Sequence, residues 1–217
     1  MKKISLFLFA FLLISVVLIV HVTSRNKNMF HNCPPEGFLI PIEDPEQNKL
    51  KNRIQIPKNF EGMAFDTLLR LPVPSGVSKR RRSKWSSTGL AQVQAQEKRA
   101  VRVEGYIVAT NRAHIESCNC YIPSDRDSHI WLAGSPNDSK AQAVITETTP
   151  RVRINHPGWT LEIQNKLIEN HTKVRISGWI MLDPDCPECV GKKRGTLWEI
   201  HPVLKIEVQG ADGWREL

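Results

Sequence analysis

Histidine and acidic residues recur in the C-terminal half at spacings that suit metal binding or proton exchange. In strands that alternate polar and apolar residues, His129 and His201 fall on polar faces, and Glu199 shares the face of His201. Imidazole and carboxylate groups together bind divalent cations or transfer protons. The wider acidic and imidazole set is Glu116, Asp125, Asp127, His129, His156, Glu199 and His201.

This set supports two interpretations. Asp127, His129, Glu199 and His201 predict the site of a metal-dependent hydrolase on the sheet face. The alternative is a solvated polar face, because the sequence has no His-Glu-x-x-His spacing and no glycine-rich phosphate loop. No residue is therefore assigned a catalytic role from the sequence.

Four cysteines form two close pairs, Cys118-x-Cys120 and Cys186-x-x-Cys189. Four thiolates suit a structural zinc ion, whereas an oxidising compartment favours disulfides, and unpaired thiols are the third alternative. Bridges within each pair would close small rings, so pairing between the two loops is the expected disulfide geometry.

Aromatic and basic residues supply a candidate ligand-binding surface. Its predicted members are Tyr106, Trp131, Trp179, Arg151, Arg153 and Arg175, together with Arg102. Aromatic rings and cations on a sheet face bind single-stranded nucleic acid, but residues 101–217 carry 14 Lys and Arg against 15 Asp and Glu. A glycan or peptide ligand needs less positive charge.

The elements that must position these residues follow from periodicity. Alternating apolar residues predict strands near 101–108, 128–132, 142–149, 173–182 and 197–209, and Thr160 is placed to cap a helix that reaches Asn170. Five strands with a helix between the third and fourth predict an OB-like five-stranded Greek-key barrel over residues 99–210. A mixed sheet of another topology is the alternative.

Several short motifs also resemble a family of uncharacterised exported bacterial proteins with an OB-like domain. The motifs are NKLKNR (48–53), VEGYIV (103–108), ESCNC (116–120), HIWL (129–132), TPRVR (149–153), SGW (177–179) and WEIHP (198–202). The resemblance covers most of residues 48–208. It implies the fold and implies no particular activity.

The N-terminal part of the chain predicts a membrane location. Residues 4–22 are apolar enough and long enough for a transmembrane helix, or alternatively for a secretory signal within residues 1–24. Either interpretation places the rest of the chain outside the cytoplasm. Residues 25–98 form a basic, proline-containing arm, and the run at 79–84 is typical of a solvated linker.

Charge distribution limits the choice of partner. The net charge of +8 arises entirely in residues 1–100, which carry 16 basic and 7 acidic residues. This placement favours attraction to an anionic membrane surface over nucleic-acid binding by the barrel. The sequence therefore predicts a membrane-anchored binding or interaction module, whose ligand is a protein, a glycan or a nucleic acid. A structural Zn²⁺ is the one cofactor it indicates.

Overall fold

The computed structural model describes residues 30–38, 44–78 and 81–217. The chain divides into two compact units, residues 1–35 and 36–217. In the first unit the described residues form a tight turn, in which Phe30 and Cys33 pair as an isolated β-bridge.

A closed β-barrel forms the centre of the second unit. The strands in the described part of the chain are β1 Glu61–Gly62, β2 Ala100–Arg112, β3 Ser128–Ala133, β4 Val144–Thr148, β5 Lys173–Leu182, β6 Trp198–Gly210 and β7 Gly213–Glu216. The sheet runs in the order β1-β2-β3-β4-β6-β5, and β5 pairs again with β2, which closes a ring of five strands. Strands β4 and β6 are parallel, and β7 extends the sheet beside β6.

The barrel confirms the five predicted strands and the helix between the third and fourth. That helix runs Leu161–Glu169, and its N-cap Thr160 accepts a hydrogen bond from the backbone N–H of Ile163. Asn170 ends the helix as predicted. Local capping and alternation were therefore sufficient to place these elements.

Apolar side chains from all five barrel strands fill one core. Residues such as Val103, Ile130, Ile176, Ile200 and Ile206 are fully buried there. Fully burying a side chain of this size stabilises the fold by roughly 1.5–3 kcal/mol.

The arm is more ordered than the irregular segment that its composition predicts. Its helices are α1 Pro45–Lys51, α2 Phe65–Leu69 and α3 Ser87–Glu97, and the later helices are α4 Pro150–Arg153 and α5 Leu161–Glu169. Leu68 and Val93 of the arm are completely buried in the barrel core. Residues 44–98 therefore form part of the same folded unit as the barrel.

The basic run also differs from a solvated linker where the structure describes it. Arg82 is 5% exposed, and its guanidinium forms a two-pronged ion pair with Glu97 at 2.6 and 2.7 Å. Lys84 remains exposed. One residue of the run thus has a structural role that composition does not reveal.

The predicted transmembrane segment, residues 4–22, lies outside the described residues. Among the described residues no helix is both long enough and apolar enough to span a bilayer.

Candidate functional site

A cluster of ionisable side chains lies on the outer face of the barrel at strands β3, β4 and β6. His129 of β3 is directly opposite Glu147 of β4, and the parallel pairing of Thr146 with Ile200 places Glu147 beside Glu199 and His201. Asp127 immediately precedes β3. Adjacent strands thus bring together residues that are up to 74 positions apart in the sequence.

His201 is the centre of this cluster. Its Nδ1 lies 3.6 Å from Glu147 Oε2 and 3.6 Å from Glu199 Oε2, while its Nε2 lies 3.6 Å from Asp127 Oδ2. These separations exceed a normal hydrogen bond. The ring is therefore surrounded by carboxylate oxygens without being bonded to them.

A neighbouring donor fixes each of the three carboxylates by contacting the oxygen that does not face His201. Asn119 donates to Asp127 Oδ1 at 2.9 Å, His129 Nε2 lies 3.0 Å from Glu147 Oε1, and Arg194 donates to Glu199 Oε1 at 2.7 Å. The outer donors thus fix the carboxylates, and the second oxygen of each faces His201. Ligands of protein metal centres are oriented in this way by surrounding residues.

The arm buries the cluster. Helix α1 contacts β6, and its last residue, Lys51, donates to Glu116 at 2.8 Å and lies 3.9 Å from Asp183. The side chains of His201 and Asp127 are 0% exposed, and those of Glu147 and Glu199 are 3% and 1% exposed. The polar outer face of the barrel is thus an interior surface here.

The face of α1 that covers the cluster is polar, so its side chains can form hydrogen bonds with the buried polar groups. Asn48, Lys51 and Asn52 are spaced for one side of α1 and its C-cap, and all three are buried. Asn48 donates to the backbone of Glu36 at 2.9 Å, and Asn52 donates to the carbonyl of Cys118 at 2.7 Å. The arm therefore contacts the site through hydrogen bonds.

Burial and mutual charge shift the pKa values of these groups. Burial raises the pKa of Asp127 to about 6, against the opposing pull of His201. Burial alone would lower the pKa of His129, but Glu147 outweighs it and the pKa rises to about 9. For His201 the effect of burial is likewise overcome by Glu147 and Glu199, so its pKa is raised. The carboxylates around His201 thus attract positive charge to this position.

Cations offset the carboxylates of the buried region. Its carboxylates are Glu116, Asp127, Glu147, Asp183 and Glu199, and its ion-pair partners are Lys51, Arg194 and the His129 imidazolium. The Arg151 and Arg153 side chains also interact with Asp127, and the raised pKa of His201 favours its charged form. Because metal ligands must be deprotonated, a cation bound at His201 would displace protons from this cluster.

Four polar atoms at the centre of the cluster have no hydrogen-bond partner among the described residues. They are Glu147 Oε2, Glu199 Oε2 and both ring nitrogens of His201. The ligand atoms of Asp127, Glu147 and His201 all lie within 4.8 Å of one another. Ligand atoms around a tetrahedral Zn²⁺ are roughly 3.4 Å apart when the bonds are about 2.0–2.2 Å long. Small adjustments of these side chains would therefore suffice to hold a first-row divalent cation.

The structure thus brings together all four residues of the predicted acid and imidazole site: Asp127, His129, Glu199 and His201. It buries Asp127, Glu199 and His201 and leaves the His129 side chain 22% exposed, which contradicts the alternative of a solvated face. The sequence prediction lacked Glu147, although alternation in β4 places its side chain opposite that of Thr146 and beside His129. It also lacked Lys51 of the NKLKNR motif.

The cysteines do not form the predicted four-thiolate zinc site. Cys186 and Cys189 are joined by a disulfide, which contradicts the expectation that pairing within a motif is disfavoured. Cys120 of the first motif is also disulfide-bonded. Cys118 keeps its thiol, which is buried 3.5 Å from Glu116 Oε2 and 3.9 Å from Asp127 Oδ2, and burial raises its pKa well above the usual value.

The residues of the predicted ligand-binding surface make internal contacts in separate parts of the molecule. Trp131 is 6% exposed, and its indole N–H donates to the carbonyl of Lys193 at 2.7 Å. Arg175 pairs with Glu104 at 2.7 Å and stacks on Trp214.

The other members of that surface are distributed in the same manner. Arg151 is buried and donates to Asn52, Arg153 donates to the backbone of Thr148, and Tyr106 is half-buried in β2. The structure therefore does not assemble the six residues into one exposed face.

Trp179 lines a cavity. The cavity has a volume of about 650 Å³ and lies between helices α1 and α3 and strand β5. Its lining includes Leu50, Arg53, Arg82, Leu90, Lys98 and Trp179. Arg53 stacks on Trp179 at 5.0 Å and donates its hydrogen bonds to backbone carbonyls, including that of His201.

Comparison with protein families and with curated proteins finds no match to this sequence. Among solved structures, the chain is similar to the OBody AM3L09 bound to hen egg-white lysozyme. The identity is 14% and the TM-score is 0.30, over 54% of this chain and 89% of that chain. A similarity at this level carries no argument about function.

Proposed function

We propose that this protein is a metal-binding module that holds one divalent first-row cation in the buried cluster of Asp127, Glu147, Glu199 and His201. One observation carries the proposal. Each carboxylate is fixed by an outer donor through one oxygen and turns its other oxygen toward His201, whose two ring nitrogens have no hydrogen-bond partner among the described residues. Imidazole combined with carboxylates suits Zn²⁺, Mn²⁺ or Fe²⁺.

The closed environment favours a structural metal over a hydrolytic one. Catalytic zinc sites keep one position open to water or substrate, whereas structural sites are enclosed by protein ligands. His201 and Asp127 have no exposed side-chain surface, and Glu147 and Glu199 have almost none. A bound cation would join strands β4 and β6 to the residue that precedes β3, beneath the arm helix, and we rank this structural role above the metal-dependent hydrolase.

The location and fold type belong to the same proposal. A ring of five strands in this order, with one parallel pair, is consistent with an OB-like barrel. Disulfide-bonded cysteines are typical of oxidising compartments outside the cytoplasm, and the apolar residues 4–22 suit a membrane anchor. We therefore place the module at a membrane, on its extracytoplasmic side.

Metal analysis of the full-length protein in mild detergent tests the proposal. The protein is equilibrated with Zn²⁺, dialysed against metal-free buffer and analysed for bound zinc. We expect about one ion per chain in the wild type and a large loss in Glu147→Gln and His201→Gln, because each change removes one ligand. The control is His114→Ala, which removes an exposed histidine.

Thermal unfolding separates loss of ligand from loss of fold. Zn²⁺ at about 100 times its dissociation constant stabilises a binding protein by roughly 2.7 kcal/mol. We expect this gain in the wild type and in His114→Ala, and its absence in a folded Glu147→Gln. If the wild type retains no metal, or if the ligand variants retain as much as the control, the cluster is a proton-binding ion-pair network and the proposal is wrong.

The cavity beside Trp179 supports a second candidate function, the binding of a small amphipathic anion. Its walls are mainly apolar, while Arg53, Arg82 and Lys98 outnumber the two carboxylates that line it, Glu46 and Glu97. A cavity of this size accommodates a drug-sized molecule. This candidate keeps the predicted ligand-binding role of Trp179 and assigns it to this cavity.

A fluorescent aromatic sulfonate, 8-anilinonaphthalene-1-sulfonate, is a suitable probe. Leu90→Trp places a large side chain in the cavity wall, whereas Ala91→Trp adds the same side chain at an exposed position of the same helix. We expect probe binding to be lost in the first variant and kept in the second. Equal binding by both variants would show that the probe does not bind in the cavity. Tight, salt-sensitive binding of single-stranded DNA would support the nucleic-acid alternative instead.

A further inference from the structure

The loop between β5 and β6 carries a disulfide at the surface of the protein. Cys186 and Cys189 are both partly exposed, and the two residues between them, Pro187 and Glu188, are exposed. Cys118, by contrast, is only 1% exposed. The Cys-x-x-Cys pair is thus accessible to a macromolecular thiol.

This disulfide adds little to the stability of its loop. A disulfide stabilises a protein mainly by restricting the unfolded chain, and the effect grows with the number of residues enclosed. Cys186 and Cys189 are only three residues apart. A bridge of this length has a small structural effect.

The loop is fixed by other contacts. The indole N–H of Trp131 donates to the carbonyl of Lys193 at 2.7 Å, and Arg194 donates to Glu199 at 2.7 Å. The backbone N–H of Gly195 donates to the carbonyl of Ala143 at 2.7 Å. The loop can therefore keep its conformation when the disulfide opens, as a reversible redox reaction requires.

The turn that follows the pair is bonded to Cys189 through the backbone. The backbone N–H groups of Lys192 and Lys193 donate to the carbonyl of Cys189 at 3.0 and 2.8 Å, and both lysine side chains are exposed. These hydrogen bonds fix the backbone of Cys189 without involving its sulfur, which remains available for thiol–disulfide exchange.

We propose that Cys186 and Cys189 form a redox-active pair that oxidises dithiols of other proteins. A substrate thiolate attacks one sulfur of the disulfide, which forms a mixed disulfide and releases the other cysteine as a thiolate that takes up a proton. The second substrate thiolate then attacks the substrate sulfur of the mixed disulfide, and the remaining cysteine leaves and is protonated. Two electrons pass from the substrate to the pair, the substrate gains a disulfide, and the pair becomes a dithiol.

The experiment uses full-length oxidised protein and a reduced synthetic peptide that contains two cysteines. Thiols are blocked at timed intervals, and mass spectrometry identifies the oxidation state of each cysteine in the peptide and the protein. We expect one peptide disulfide to form for each Cys186–Cys189 bridge that is reduced. Cys186→Ser and Cys189→Ser should each abolish net oxidation, and one of them should accumulate the mixed disulfide when supplied with a pre-oxidised peptide.

A cysteine variant outside the loop and a stability measurement complete the design. Cys118→Ala should oxidise the peptide as the wild type does, because Cys118 is buried. The thermal midpoint of the Cys186→Ser, Cys189→Ser double variant should fall by no more than about 8 °C, because the loop that the bridge closes is short. Failure of the bridge to react, equal oxidation by the double variant, or loss of folding on its reduction would each overturn the proposal. None of these readouts depends on a bound metal, so the metal-binding proposal stands or fails separately.

Discussion

Replacing Arg82 with methionine should destabilise the protein much more than the same change at Lys84 in the same basic run. Arg82 binds both carboxylate oxygens of Glu97, and its Nη2 lies 3.3 Å from the carbonyl of Leu182. The side chains of Arg82 and Glu97 are 6% and 3% exposed. The methionine variant would leave the Glu97 carboxylate buried with a single remaining donor, the backbone N–H of Leu182 at 3.1 Å.

The magnitude follows from this arrangement. Removing one partner of a buried ion pair costs about 3–5 kcal/mol. Each kcal/mol lowers the unfolding midpoint of a chain of 150–250 residues by roughly 2–4 °C, so Arg82→Met should lower it by about 6–20 °C. Lys84→Met, at an exposed position, should change stability by no more than about 0.5 kcal/mol.

Thermal unfolding followed by circular dichroism measures both effects. The double variant Arg82→Met, Glu97→Gln should recover a large part of the loss, because the neutral amide removes the unpaired charge and still accepts from Leu182. If Arg82→Met is as mild as Lys84→Met, the buried Arg82–Glu97 ion pair does not stabilise the fold and the reasoning is wrong.

Three further outcomes are expected. Gly178→Ala should destabilise the fold by about 1–3 kcal/mol in urea unfolding, because the added Cβ would clash with the carbonyl oxygen of Pro202. In the control, Gly62→Ala, the added Cβ would meet no atom within 4 Å, and the change should be nearly neutral. Hydrogen bonds, chiefly from Lys173, lower the pKa of Glu104 below its ordinary 4.5. Glu104 therefore stabilises the folded state at neutral pH, and this stabilisation is lost as the pH falls below 4.5. Urea midpoints of Glu104→Gln should accordingly fall less steeply with acidification than those of the wild type, and an identical pH profile would contradict this. Thr160→Ala removes a helix cap and should cost about 1 kcal/mol, measured as a small fall in the thermal midpoint.

Much of the barrel could be predicted because its determinants are local. Alternation of side chains along a strand and a capping threonine before a helix depend only on neighbouring residues. The same alternation correctly placed Glu199 and His201 on one face. It could not show that this face is buried, since a polar outer face is ordinarily solvated.

Packing of the arm on the barrel buries this polar face, and that packing is a tertiary interaction. The polar residues Asn48, Lys51 and Asn52 are suited to solvent until α1 is placed on the barrel, where they donate hydrogen bonds to Ser117, Glu116 and Cys118. Only that docking removes water from the carboxylates around His201.

The sequence by itself determined the strands, the helix between them and the polar side on which the cluster lies. The tertiary structure alone decided that Glu147 joins His201, that Arg82 binds Glu97, and that Cys186 pairs with Cys189. Hydrophobic periodicity follows from the local backbone geometry, whereas charge pairing and burial depend on groups that the chain brings together over longer separations. The Cys186–Cys189 bridge spans only three residues, but it depends on the conformation of the loop, which periodicity does not specify.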